Sequence, residues 1–122
     1  MSHLPNILVV DDNETYLLYL EIVLYDIQAN IIKADSAAKA LEITKDTELT
    51  LAIIDVQMPV MNGFELALQL NDQRSDNKIP IIFLTAATPN DEKVMKGYEA
   101  GAADFIIKPL NKSILISKIN VF

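Results

Sequence analysis

The sequence predicts an α/β fold in which five strands, each followed by a helix, build one doubly wound parallel sheet with helices on both faces. Three observations lead there. Short, nearly continuous apolar runs alternate with longer segments whose apolar residues recur every three or four positions. The runs are of the kind found in strands buried on both faces, as in a parallel sheet. No hairpin turn joins one run to the next, which argues against an antiparallel α+β arrangement and leaves crossover helices.

The elements follow in order. Residues 6–10 form a solid apolar run that stops at two aspartates. From residue 13 to 27 the period changes, with Leu17, Leu20, Leu24 and Ile27 at helical spacing and Val23 beside them. Residues 30–34 read as a short strand, less uniformly apolar and so nearer an edge. Ser36 is placed to cap a small helix carrying Ala37, Ala38 and Leu41 on one face. The run 49–54 again ends at an aspartate, Asp55. Asn62 followed by Glu65 has the form of a capping box and opens a helix expected to face Phe64, Ala67 and Leu68 inward. Residues 79–84 are the fourth strand, entered through Pro80. Thr88 and Pro89 then supply an N-cap and a first helical proline, Val94, Met95 and Tyr98 a buried face, and Gly101 a C-terminal stop. Residues 103–107 are the fifth strand, and Asn111 caps a last helix bearing Leu115, Ile119 and Phe122.

Composition bounds what such a fold can do. With 122 residues the chain is expected to be one domain, residues 1–122. Ten basic against 17 acidic residues give a net charge of −7, and the basic ones are scattered, so a phosphate-backbone grip on nucleic acid is not expected. The chain has no cysteine, which removes disulfides, thiolate catalysis and cysteine-based zinc sites. Its lone His3, beside the terminus, reads as a solvated residue. The longest apolar stretch is half a membrane span and is broken by Pro80, and no signal-peptide pattern opens the chain. A soluble cytoplasmic module without membrane contact is the expectation.

The chemistry lies just past the strands. Asp11 and Asp12 follow the first, Asp55 the third, Thr85 the fourth and Lys108 the fifth. In a doubly wound sheet the loops at the carboxyl ends open on one face, where ligands bind. Singly, each has an ordinary use: an acidic pair caps a helix, an aspartate or threonine ends a strand, a lysine is solvated. Five such residues on one edge exceed those needs. Clustered carboxylates repel one another and raise their pKa values unless a cation is near. All-oxygen ligation suits Mg2+, which takes one or two carboxylates together with phosphate oxygens. A carboxylate beside it can act as nucleophile toward a phosphoryl group, with a lysine and a threonine hydroxyl to serve the phosphoryl oxygens.

These residues resemble the receiver domain of two-component response regulators. The resemblance rests on Val10-Asp11-Asp12-Asn13-Glu14, on Ile54-Asp55-Val56-Gln57-Met58-Pro59-Val60-Met61-Asn62-Gly63, on Leu84-Thr85-Ala86, and on Gly101-Ala102-Ala103-Asp104-Phe105 running into Lys108-Pro109. It covers essentially the whole chain, and the aspartate followed by Met-Pro-x-Met-x-Gly with a later Lys-Pro is its most specific part. The resemblance implies a flavodoxin-like sheet of strand order 2-1-3-4-5. It implies that Asp55 accepts phosphate from a phosphohistidine on a sensor histidine kinase or a histidine phosphotransfer protein. Asp12 and Asp55, with the backbone carbonyl of Gln57, would hold Mg2+ (or Mn2+), and Asp11 would act partly through water. Lys108, Thr85 and the neighbouring Ala86 would receive the phosphoryl group, and Phe105 would turn inward when Thr85 moves. Met58, Pro59 and Gly63 would shape the acceptor loop, with Gly63 permitting a close approach at the helix start. Pro109 would follow a cis bond. The switch would act on an output domain or effector protein, and family members often dimerise through the fourth helix and fifth strand. Gln57 and Ala87 would line the path of a hydrolytic water.

Two rivals remain at this point. A Mg2+-dependent phosphatase would also form an aspartyl phosphate, but such enzymes carry a second carboxylate two residues after the nucleophile, where this chain has Gln57. Turnover of a free substrate is therefore not expected. A receiver-shaped module that is never phosphorylated has no need of all five polar residues. Phe122, apolar and at helical spacing, suggests excision from a longer protein.

Overall fold

In the computed structural model, residues 4–72, 78–86, 99 and 102–121 are described. His3, Ala87, the helix expected over 88–98 with its stop at Gly101, and Phe122 lie outside them. Five strands are present: β1 (Asn6–Val10), β2 (Asn30–Ala34), β3 (Leu51–Asp55), β4 (Ile81–Thr85) and β5 (Ala102–Ile107). The helices among the described residues are α1 (Glu14–Val23), α2 (Ala37–Ile43), α3 (Gly63–Asp72) and the C-terminal α4 (Lys112–Ile119), the last of the five expected from the sequence. Every strand pair is parallel and the order is β2-β1-β3-β4-β5. The doubly wound sheet and its order are as expected.

Alternation along the strands divides the core into two layers. Leu8, Val10, Ala52, Ile54, Ile81 and Phe83 pack against α2 and α3, through Ala37, Ala40, Phe64, Ala67 and Leu70. Ile7, Val9, Leu51, Ile53, Ile82 and Leu84 pack against α1 and α4, through Leu17, Leu20, Leu115 and Ile119. Each central strand is therefore dry on both faces, which is why its sequence is apolar except at one end, where Asn6, Asp55 and Thr85 stand. β2 carries exposed Asn30 and Lys33 because it is an edge.

The helix starts are fixed by side-chain caps. Ser36 Oγ accepts from Lys39 N at 3.1 Å and Asn111 Oδ1 from Ile114 N at 3.2 Å. Asn62 and Glu65 close a reciprocal box, Oδ1 accepting from Glu65 N at 2.9 Å and Oε1 from Asn62 N at 3.1 Å. Two inward positions differ from expectation. Leu68 is exposed, because Leu66, Ala67 and Leu70 set the buried stripe of α3 and Leu68 lies two residues from both leucines, about 200° around the helix. Ala38 is also exposed, because α2 buries Ala37, Ala40 and the following Thr44.

One buried polar contact has no counterpart in the sequence reading. Asn71 closes α3 against the approach to β4, its Oδ1 accepting from Ile79 N at 2.8 Å and its Nδ2 donating to Ile79 O at 3.4 Å. Both residues are buried. Asn71→Leu keeps the volume but orphans both backbone groups. We expect it to destabilise the fold by about 2–3 kcal/mol in urea unfolding.

Candidate functional site

β1, β3 and β4 end together at the carboxyl edge of the sheet, with the switch in strand order between β1 and β3. β3 runs one residue further than the apolar pattern suggested, so Asp55 is its last residue, paired in register with Leu84. Thr85 likewise ends β4 inside the strand, buried. Asp11 directly follows β1, and its N–H donates to Ala34 O at 3.2 Å.

The N-cap of α1 is Asn13, whose side chain accepts from Tyr16 N at 3.1 Å. Capping, the ordinary use of an acidic pair at this position, therefore does not occupy Asp11 or Asp12. Asp11 is fully buried, and its Oδ1 accepts from Asn13 N at 3.0 Å. Its Oδ2 accepts from Lys108 Nζ at 2.8 Å. The same ammonium lies 3.4 Å from Asp55 Oδ1. Asp55 is 5% exposed, whereas Asp12 stands open to solvent. Asp11, Asp12 and Asp55 each bring one carboxylate oxygen within 4.8 Å of the others.

Electrostatics follow from that crowding. Burial, reinforced by the charge of Asp11, pushes the Asp55 carboxyl up to about 6, and Lys108 offsets only part of the rise. Burial pulls Lys108 down, but its hydrogen bond to Asp11 and the two carboxylate charges win, so its pKa is raised. The site is thus short of positive charge. Three hard oxygen donors with an excess of negative charge suit a divalent cation such as Mg2+.

Lys108 is held by its backbone as well. Its N–H donates to Thr85 O at 2.7 Å, and the bond to Pro109 is cis. Its Nζ also lies 4.1 Å from the centroid of the Tyr16 ring. Burial raises the Tyr16 phenol, while the backbone hydrogen bond from Leu110 and the charge of Lys108 partly oppose it. Tyr16 was not singled out in the sequence. An aromatic inside a helical period, more than ninety positions from its partner, gives no signal there.

The loop after Asp55 is tightly folded. Gly63 N donates to Val56 O at 2.9 Å, which brings the start of α3 back over Asp55. Met58 and Met61 pack against the core layer under α3, and Gln57, Pro59 and Val60 are exposed. Val60 adopts φ 69°, a left-handed conformation unusual for a β-branched residue. Ala86 is exposed beyond Thr85. Phe105 is half-buried on β5, its ring 5.6 Å from that of Phe83, which in turn meets Phe64 edge-on at 4.8 Å.

Comparison with known proteins gives the family and the fold. A family model described as the response regulator receiver domain matches residues 7–120. A probable cyclic di-GMP phosphodiesterase of Vibrio cholerae is 35% identical over 116 residues, covering 93% of this chain and 25% of that protein. Protein PilH of Pseudomonas aeruginosa is 28% identical, covering 96% of both chains. A CheY-like response regulator receiver domain protein from Methanospirillum hungatei superposes with a TM-score of 0.88 at 28% identity, over 98% of this chain and 93% of that one. The chain spans less than half the length of several curated relatives, 40% of one and 25% of another.

Proposed function

Because the chain belongs to the response regulator receiver domain family, we propose that it takes a phosphoryl group from a phosphohistidine onto Asp55 and changes conformation in response. The observation that carries this reading is the meeting of Asp11, Asp55 and Lys108 in one buried cluster, with Asp12 at its open side. A structural ion pair needs one carboxylate per lysine. This cluster keeps a second, costly one on a strand end.

At neutral pH Asp55, with a pKa of about 6, is mostly ionised and carries the lone pair for attack. An Asp55 oxygen forms the new bond to phosphorus as the phosphorus–nitrogen bond breaks, and the imidazole nitrogen leaves with the electron pair. Asp11, Asp12 and Asp55, with the Gln57 backbone carbonyl, hold Mg2+ or Mn2+, which when bound supplies positive charge to the phosphoryl oxygens. Lys108 transfers from Asp11 to a phosphoryl oxygen, and the Thr85 hydroxyl donates to another beside the Ala86 backbone. Met58, Pro59 and Gly63 hold the acceptor loop. The new ligand shifts the equilibrium only through contacts that differ between the two conformations, and Thr85 and Lys108 provide them. Phe105 carries the change by moving against Phe83.

The donor is a sensor histidine kinase or a histidine phosphotransfer protein, and the recipient of the switch is an output domain or a partner, with a homodimer through the fifth-strand face as one form. Cytoplasmic action fits such partners, and no described helix is long and apolar enough to cross a membrane. No free substrate is turned over. The test is incubation of the pure chain with phosphoramidate. With Mg2+ we expect one acid-stable, base-labile phosphoryl adduct per chain, and with EDTA none. Steady release of phosphate from a small phosphomonoester would instead indicate a phosphatase.

A further inference from the structure

Among the described residues Lys108 is the cation that meets the cluster, and the carboxylates alone do not explain how it is held. A lysine ammonium is a compact charge on a flexible stem, with donors that rotate freely. Two of its neighbours, Asp11 at 2.8 Å and Asp55 at 3.4 Å, are partners that phosphorylation rearranges. The third neighbour is the Tyr16 ring, 4.1 Å from Nζ, and its attraction does not depend on where the carboxylates' charge goes.

The ring is itself fixed. Tyr16 Oη accepts from Leu110 N at 3.3 Å, and Tyr19 Oη donates to Leu110 O at 3.4 Å. The two rings meet edge-on at 5.7 Å. Both polar backbone atoms of Leu110, two residues beyond Lys108, are thus gripped by tyrosines one turn apart on α1. The side chain of Lys108 and the chain just after it are referred to the same helix.

We propose that Tyr16 is a positioning residue: its ring keeps the Lys108 ammonium in the cleft while that ammonium exchanges Asp11 for the incoming phosphoryl group. The exchange needs a moment in which the old ion pair is broken and the new one unmade. Without the ring, a solvated lysine has many orientations open to it and only one that serves the transfer. The ring's contribution is therefore to the rate and not to the binding of the divalent cation.

This inference rests on the phosphoacceptor reading, and its test separates the two. With the full chain, saturating Mg2+ and phosphoramidate, Tyr16→Leu is expected to lower the maximal rate of adduct formation about fivefold, the size of one cation–π contact. The half-saturating Mg2+ concentration should stay unchanged. Tyr16→Phe, which keeps the ring, should recover most of the rate. In a Lys108→Met background, Tyr16→Leu should add nothing, because its effect passes through Lys108. Independently of activity, the ε-methylene proton resonance of Lys108 should lie upfield of the other lysines in the wild type and in Tyr16→Phe, and return to the ordinary position in Tyr16→Leu. Equal losses in the Phe and Leu variants, a further loss in the Lys108→Met background, or an unshifted wild-type resonance each overturn the proposal. Absence of any wild-type adduct overturns the phosphoacceptor reading instead, while the resonance still reports the ring contact.

Discussion

Asp55→Asn is expected to be more stable than the wild type at pH 7, by about 3 kcal/mol, while losing all capacity to form the adduct. The wild-type carboxyl is 5% exposed, stands beside Asp11, and has its pKa raised from 3.8 to about 6. Between those values the folded chain keeps a proton that the unfolded chain has lost. The stabilisation this represents is complete below about pH 4 and disappears as pH rises through about 6. One pKa unit corresponds to about 1.4 kcal/mol, hence the size of the effect. Asparagine fills the same space without the charge, and Lys108 keeps its bond to Asp11. The difference between the two proteins should therefore be near zero below pH 4 and reach its plateau above about pH 6.5. Urea unfolding in EDTA across this range measures it, with contributions of the carboxylates remote from Asp55 cancelling. Mg2+ should return part of the lost stability to the wild type by binding the folded form. A variant less stable than the wild type at pH 7 would mean that Asp55 serves the fold and is not strained by it.

Gly63→Ala is the second large effect. A Cβ at this position would lie 2.3 Å from the Asp55 carbonyl oxygen, and 3.0 Å from both the Asp55 carbonyl carbon and the Ile54 Cγ2. Two of these are backbone atoms of the central strand, which has no room to yield. Either α3 moves away, breaking the Gly63 N–H bond to Val56, or β3 is displaced with Asp55 on its end. We expect at least about 3 kcal/mol of destabilisation. If Asp55 accepts the phosphoryl group as proposed, a displacement of order 1 Å there should also slow phosphoryl uptake about a hundredfold in whatever fraction remains folded. Urea unfolding and the phosphoramidate assay read the two effects separately. A variant with wild-type stability and rate would show that the close approach over Asp55 is dispensable.

The parts of this molecule that sequence made legible are those governed by local rules. Strand burial on both faces wrote itself into the continuous run at Leu8, Val9 and Val10, and the caps at Ser36, Asn62 and Asn111 need only a side chain and an N–H three residues on. The positions of Asp11, Asp12, Asp55, Thr85 and Lys108 at strand ends were legible for the same reason, since the apolar pattern marks where strands stop. What sequence left unread depends on contacts between distant segments. Asn71 is an ordinary polar residue near a helix end until the fold sets Ile79 against it. Tyr16 looks like another aromatic in a helix until β5 delivers Lys108 beneath its ring. Helix phase was the third gap. Leu68 lies one turn from buried Phe64 and Ala38 lies next to buried Ala37, so apolar spacing alone does not tell them from the buried stripe that packing selects.

The measurement that bears most directly on Asp55 as acceptor is site mapping of the phosphoryl group. The chain is treated with Mg2+ and phosphoramidate, the acyl phosphate is trapped by borohydride reduction, and the modified residue is located by peptide mass spectrometry. The account predicts one modified residue, Asp55, in the wild type and none in Asp55→Asn. Modification centred on Asp11, Asp12 or His3, or no modification with a donor that phosphorylates a control receiver, would contradict it.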